Sequence, residues 1–259
     1  CFTGSVEGGK KMQQAAAGTF LGLGLELGGK DPAYVRADAD LQYTVEQLVD
    51  GAFFNSGQSC CGIERIYVHD SLYDDFVKRF CKIVKTYTLG NPLKSETTLG
   101  PVVKPAAANW VRQQIKDAVG AGAKTCIDIS NFSLDDGKGV YLAPQVLIDV
   151  NHTMSVMKDE SFGPVVGIMK VKTDDQALAL MNDSDLGLTA SIWTKDEATA
   201  ELLGNKIQTG TVFMNRCDYL DPALAWTGVK NTGRGQTLSV LGYGQLTRAK
   251  SFNFKTLNY

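Results

Sequence analysis

Short apolar, β-branched runs are separated along this chain by longer segments whose apolar positions fall three and four apart. The runs at 65–69, 165–171, 190–193 and 211–214 read as strands, and 124–129 reads as another. Between them, 72–87, 106–119, 174–181 and 197–205 read as helices. Further upstream, a helix from Asp40 places Leu41, Val45, Leu48, Val49 and Ala52 on one face, and Gly57 is expected to end it. A shorter strand at 25–27 stops at Gly28-Gly29, and Ser5 is placed to cap a helix that contains the small residues Ala15–Ala17. The closing stretch, 247–256, alternates as a final strand would. Strands and helices alternating without an internal repeat predict an α/β fold with a mostly parallel sheet.

Composition narrows the class. Across 259 residues, 44% are hydrophobic and 21% charged, which supplies a core and argues against disorder. The net charge of −2, with both signs scattered, lacks the basic footprint of a nucleic-acid binder. No apolar run is long enough to span a bilayer, so neither nucleic acid nor membrane is expected as a partner. Six cysteines at irregular spacing do not form a disulfide framework, and reduced thiols in a cytoplasmic or mitochondrial-matrix compartment are expected. His69 and His152 stand alone, which disfavours a zinc site and a Ser-His-Asp triad. Opening at Cys1 in mid-pattern, the chain reads as a fragment.

Three short motifs carry the chemistry. They are Leu25-Glu26-Leu27-Gly28-Gly29-Lys30, Gly57-Gln58-Ser59-Cys60 and Glu160-Ser161-Phe162-Gly163-Pro164. Phe2-Thr3-Gly4-Ser5 stands upstream of all three, and Glu26 and Cys60 are 34 residues apart. In this order and at this spacing the motifs resemble those of the aldehyde dehydrogenase superfamily, over essentially the whole chain. The chain is similar to that family's carboxy-terminal, catalytic half, with the amino-terminal half missing.

The resemblance implies a three-layer catalytic domain over 26–229. A remnant of a Rossmann-type nucleotide domain would precede it, at 1–25, and a return segment with an oligomerisation strand would follow, at 230–259. It implies that Cys60 is the nucleophile, forming a thiohemiacetal and then a thioester, and that Glu26 is the base that activates the hydrolytic water. Glu160 would hold the ribose on the nicotinamide side of NAD or NADP, and Phe162 would pack near the nicotinamide. Gly4 and Ser5 would stand beside the pyrophosphate at a helix N-terminus. The implied partners are a small aldehyde substrate and further copies of the chain, as a homodimer or homotetramer.

Other readings compete with these assignments. Cys61 is the rival thiol, and Ser5 without the resemblance is an ordinary N-cap. Glu160 could be a helix cap or a surface charge, and Asn215, which matches a family asparagine near the active site, could equally be a turn residue that holds the chain. Gly22-Leu23-Gly24 followed by Gly28-Gly29 lacks the dinucleotide fingerprint spacing and reads as close packing. As whole functions, the alternatives are a silent crystallin-like structural protein and a thiol esterase that needs no cofactor. Relatives that pass the thioester to coenzyme A lack the base glutamate, whereas Glu26 is present.

Overall fold

The computed structural model describes residues 1–257. The chain begins with β1 (Phe2–Thr3), α1 (Val6–Ala16) and β2 (Leu25–Glu26). It continues through β3 (Asp31–Val35), α2 (Leu41–Phe53), β4 (Ile63–His69), α3 (Asp70–Val84), α4 (Pro105–Gly120), β5 (Lys124–Thr125) and β6 (Gln145–Ile148). Then come α5 (Ser155–Lys158), β7 (Val165–Val171), α6 (Asp174–Asn182), β8 (Leu186–Gly187), β9 (Thr189–Trp193) and α7 (Glu197–Gly204). The last elements are β10 (Thr211–Met214), β11 (Val229–Lys230), β12 (Gly233–Arg234) and α8 (Tyr243–Leu246).

The main sheet has seven strands in the order β10-β9-β3-β4-β7-β6-β5, parallel except where β5 meets β6. Strand alternation sorts its side chains onto two buried faces. Ala33 and Val35 join α2 and α3 in one apolar cluster, while Tyr34 between them joins α4, α5, α6 and α7 in the other. Helices therefore cover both faces, as a mostly parallel sheet requires. The first cluster contains Phe53, Phe76 and Phe80, with the Phe80 ring 6.2 Å from Phe53 and 5.6 Å from Phe76, both pairs tilted. Burying each contributes about 1.5–3 kcal/mol.

One buried cation ties the sheet to its helices. Arg65 donates to the Lys30 carbonyl at 2.9 Å and to carbonyls of Leu180, Met181 and Asp183 at the end of α6. The negative end of that helix faces the guanidinium, which offsets part of its desolvation.

Several expectations are corrected here. The central strand β3 is hidden in the sequence by Pro32, which pairing on both sides should exclude. A register shift between Asp31 and Pro32 accommodates it. β6 also carries no clear pattern of its own. Only Lys124–Thr125 of the segment 124–129 forms a strand, because the Asp128 side chain accepts from Ser130 N and turns the chain. α2 ends at Phe53 rather than at Gly57, since Asn55 and Ser56 already take left-handed φ of 50° and 59°. The alternating stretch 247–256 is not a strand: a strand needs a paired edge, and residues 247–257 pair with no other described strand. Asn258 and Tyr259, the end of the expected oligomerisation segment, lie outside the described residues.

A second, smaller sheet joins β1, β2 and β12, with β1 parallel and β12 antiparallel to β2. It lies one short connection, Leu27–Lys30, from the start of β3.

Candidate active site

Each motif immediately precedes one of three adjacent parallel strands: Leu25–Lys30 leads into β3, Gly57–Cys60 towards β4, and Glu160–Pro164 into β7. Parallel pairing therefore gathers all three at the amino-terminal edge of the sheet. Open doubly wound sheets bind ligands at the opposite edge.

Contact between the motifs is close enough to exclude side chains. A Cβ on Gly29 would stand 2.2 Å from the Cys60 carbonyl oxygen, and one on Gly57 would stand 2.2 Å from the Gly163 carbonyl oxygen. Gly57 also has φ of +70°, which glycine adopts without strain. By contrast, Gly22 has nothing within 4 Å, so the close-packing reading holds for Gly28 and Gly29 but not there. Gln58 secures the opposite wall: it donates to the Asn55 and Pro101 carbonyls and accepts from Val103 N at 2.7 Å.

The result is a cavity of about 400 Å³ lined by Cys60, Glu26, Glu160, Phe162, Gly4 and Ser5, together with Lys104, Leu188 and Trp226. All six expected site residues thus share one space. A larger cavity of about 650 Å³, beside Arg112, Cys126 and Gln145, shares no lining residue with it.

Cys60 is partly exposed in the turn before β4, whereas Cys61 is buried. The Cys61 thiol beside it holds the Cys60 thiol below the ordinary cysteine value, aided by the backbone N–H of Cys60 itself. Burial and the Glu160 and Asp218 carboxylates push the other way. Cys61 is pushed strongly up by Cys60, by burial and by Asp218. Cys60 is the more accessible of the two thiols, and thiolate is the reactive form.

Glu26 is partly buried, and one of its oxygens accepts the Thr237 hydroxyl at 2.6 Å. Glu160 Oε1 accepts from Gly29 N at 3.1 Å, and its carboxylate lies against Gly28. Burial, reinforced by Glu64, pushes the Glu160 carboxyl up to about 7 against the pull of Gly29 N–H and Lys30. Trp110 Nε1 donates to the Glu160 carbonyl at 2.9 Å and fixes the backbone. Phe162 keeps a positive φ of 50° and presents its ring to the cavity.

Ser5 is the N-cap of α1, its hydroxyl accepting from Gly8 N at 3.1 Å. Asn215 behaves as the turn residue: with φ of 53° it bridges to Thr194, accepting from its N–H and donating to its carbonyl.

The aldehyde dehydrogenase family model matches residues 1–252. The chain belongs to this family. It is 37% identical to retinal dehydrogenase 2 of Mus musculus over 255 residues, covering 98% of this chain and 49% of that protein. Among solved structures it is similar to betaine aldehyde dehydrogenase of Staphylococcus aureus in complex with NAD+, at 32% identity and TM-score 0.88, covering 94% of this chain and 49% of that one. It is likewise similar to the NADP-dependent glyceraldehyde-3-phosphate dehydrogenase of Bacillus halodurans complexed with NADP. Identity there is 37% and the TM-score 0.84, over 91% of this chain and 48% of that one. The chain spans about half the length of the relatives it matches.

Sequence reasoning missed the support under this aldehyde dehydrogenase site. Lys30 and Glu64 form a buried ion pair at 2.5 Å, with side chains 0% and 5% exposed. Glu64 also accepts from Ser161 N at 2.8 Å and Phe162 N at 2.9 Å, while Lys30 donates to the Ser161 hydroxyl at 3.0 Å. This pair holds the loop that carries Glu160 and Phe162. One signal was available: Glu64 is an acidic residue within a strand whose neighbours are buried on both faces. Thr237 and Asp218 offered none, because only the folded chain brings them to Glu26 and Cys61.

Proposed function

We propose that this chain is the catalytic part of an aldehyde dehydrogenase that oxidises an aldehyde to a carboxylate, with NAD or NADP as hydride acceptor. The observation that carries the reading is one cavity lined by a partly exposed thiol, Cys60, and a carboxylate, Glu26. The residues present fit the nicotinamide end of the cofactor. Phe162 offers an apolar wall and Glu160 a ribose acceptor, and the N-terminus of α1 at Gly4 and Ser5 opens into the same space.

The Cys60 thiolate adds to the aldehyde carbon, giving a thiohemiacetal whose oxyanion is stabilised by the Cys60 backbone N–H. A nicotinamide held beside Phe162 and Glu160 would supply the hydride acceptor, and loss of the hydride would leave the carbon as a thioester on Cys60. Glu26, steered by the Thr237 hydroxyl, takes a proton from the water that attacks this thioester. The carboxylate leaves and the thiolate is restored.

The test is nicotinamide reduction by the full-length protein with a short aldehyde, followed by absorbance. Cys60→Ser is expected to abolish turnover. Glu26→Gln is expected to lower kcat by about 10²–10⁴-fold, the usual worth of a general base, while Cys60 still acylates. Turnover that survives Cys60→Ser would remove the reading.

A further inference from the structure

Both neighbours of Cys60 in the chain converge on one distant oxygen. Ser59 donates its hydroxyl to Asp218 Oδ1 at 3.1 Å, and Cys61 directs its thiol to the same atom at 2.8 Å. The Ser59 oxygen and Cys61 sulfur are themselves 3.5 Å apart, so the three groups form a closed triangle beside the nucleophile.

Asp218 is itself held in place by its neighbours. It has a φ of +47°, a region that aspartate tolerates better than most residues. Cys217 directs its thiol to the Gln47 carbonyl at 3.6 Å and fills the notch that Gly51 leaves on α2, where a Cβ would meet it at 2.4 Å. Three residues back, Asn215 is bridged to Thr194. The carboxylate is therefore presented from an anchored segment.

We infer that Asp218 is a positioning residue for Cys60: by gripping Ser59 and Cys61 with one carboxylate oxygen, it fixes the turn that aims the nucleophile into the cavity. This rests on the catalytic reading of Cys60 given above.

The arrangement has an electrostatic consequence that a neutral tether would lack. Cys61 has a single S–H. That hydrogen points at Asp218, which draws it away from Cys60, the neighbour whose thiolate it would otherwise favour. The Asp218 charge also opposes a thiolate on Cys60, as Glu160 does, and Asp31 lies within electrostatic reach. Asp218 thus favours geometry at the expense of thiolate, and the two effects separate by substitution. Asp218→Asn removes the charge but keeps an acceptor oxygen, and asparagine tolerates the positive φ. Asp218→Ala removes both.

The experiment measures Cys60 alkylation by iodoacetamide against pH, with peptide mapping, and the kcat and KM of aldehyde oxidation, all on the full-length protein. Both variants are expected to move the pH midpoint of Cys60 labelling down, because each removes a nearby like charge. Asp218→Asn is expected to keep kcat within about threefold. Asp218→Ala should lose about 10²-fold in kcat at steady KM, the scale of a small misplacement of a reacting group. The midpoint reports the charge, and the positioning role stands on the kcat difference between the variants: equal kcat for Asp218→Asn and Asp218→Ala would overturn it. If wild-type Cys60 labels no faster than Cys81, Cys126 and Cys217, the catalytic reading itself falls. If it labels preferentially and both variants match wild type in midpoint and kcat, the reading stands and the positioning role is overturned.

Discussion

Replacing Glu64 by Gln tests the support of the loop that carries Glu160 and Phe162. The Glu64 carboxylate serves Lys30 Nζ, Ser161 N and Phe162 N from a site only 5% exposed. A carboxamide has one acceptor oxygen, and its NH₂ must face either the lysine or a backbone N–H. Breaking a buried pair by removing one partner costs about 3–5 kcal/mol. Lys30 can escape by losing its proton, and burial already lowers its pKa from 10.5. Deprotonating an ordinary lysine at pH 7 costs about 5 kcal/mol, which caps the loss by that route. Against a typical total stability of about 5–15 kcal/mol, the variant is severely weakened. The assay is urea unfolding at pH 7, followed by tryptophan fluorescence. The double variant Lys30→Met/Glu64→Leu removes the unpaired lysine, since apolar groups replace a buried ion pair without large cost. It still leaves Ser161 and Phe162 N–H without an acceptor, at about 1–3 kcal/mol each. A loss below about 1 kcal/mol for Glu64→Gln would refute the reasoning.

Two further substitutions address the cavity itself. The folded pKa of Glu160, about 7, lies above its ordinary 4.5, so the charged form opposes folding. Its contribution is fully favourable below pH 4.5 and is lost as pH rises through 7. Glu160→Gln should therefore gain stability over wild type between pH 5 and 8, approaching about 3 kcal/mol. A gap that does not change with pH in urea titrations would contradict this. Gly29→Ala pushes a methyl to within 2.2 Å of the Cys60 carbonyl. It should cost about 1–3 kcal/mol and slow Cys60 alkylation, and an unchanged labelling rate would show that the turn yields freely.

Much of this protein was legible in its sequence because the relevant signals are local. Helices α2, α3, α4, α6 and α7 follow from apolar spacing, and Ser5 caps α1 as its side chain predicts. The three motifs named Cys60, Glu26, Glu160 and Phe162 before any geometry was known, and those residues do line one cavity.

What the sequence could not decide depends on partners far along the chain. β3 became a central strand although it carries Pro32, because β4 and β9 pair with it around a shift in register. The alternating tail at 247–256 did not become a strand, because alternation specifies a face and pairing needs an available edge. Glu64, Thr237 and Asp218 acquired their roles by contacts that span 98, 211 and 157 residues respectively. Parallel pairing of β3, β4 and β7 brings the three motifs together at the amino-terminal edge of the sheet, and loops from elsewhere in the chain bring Thr237 and Asp218 to them. A sequence records which residues can donate, accept or ionise; the fold decides which of them meet.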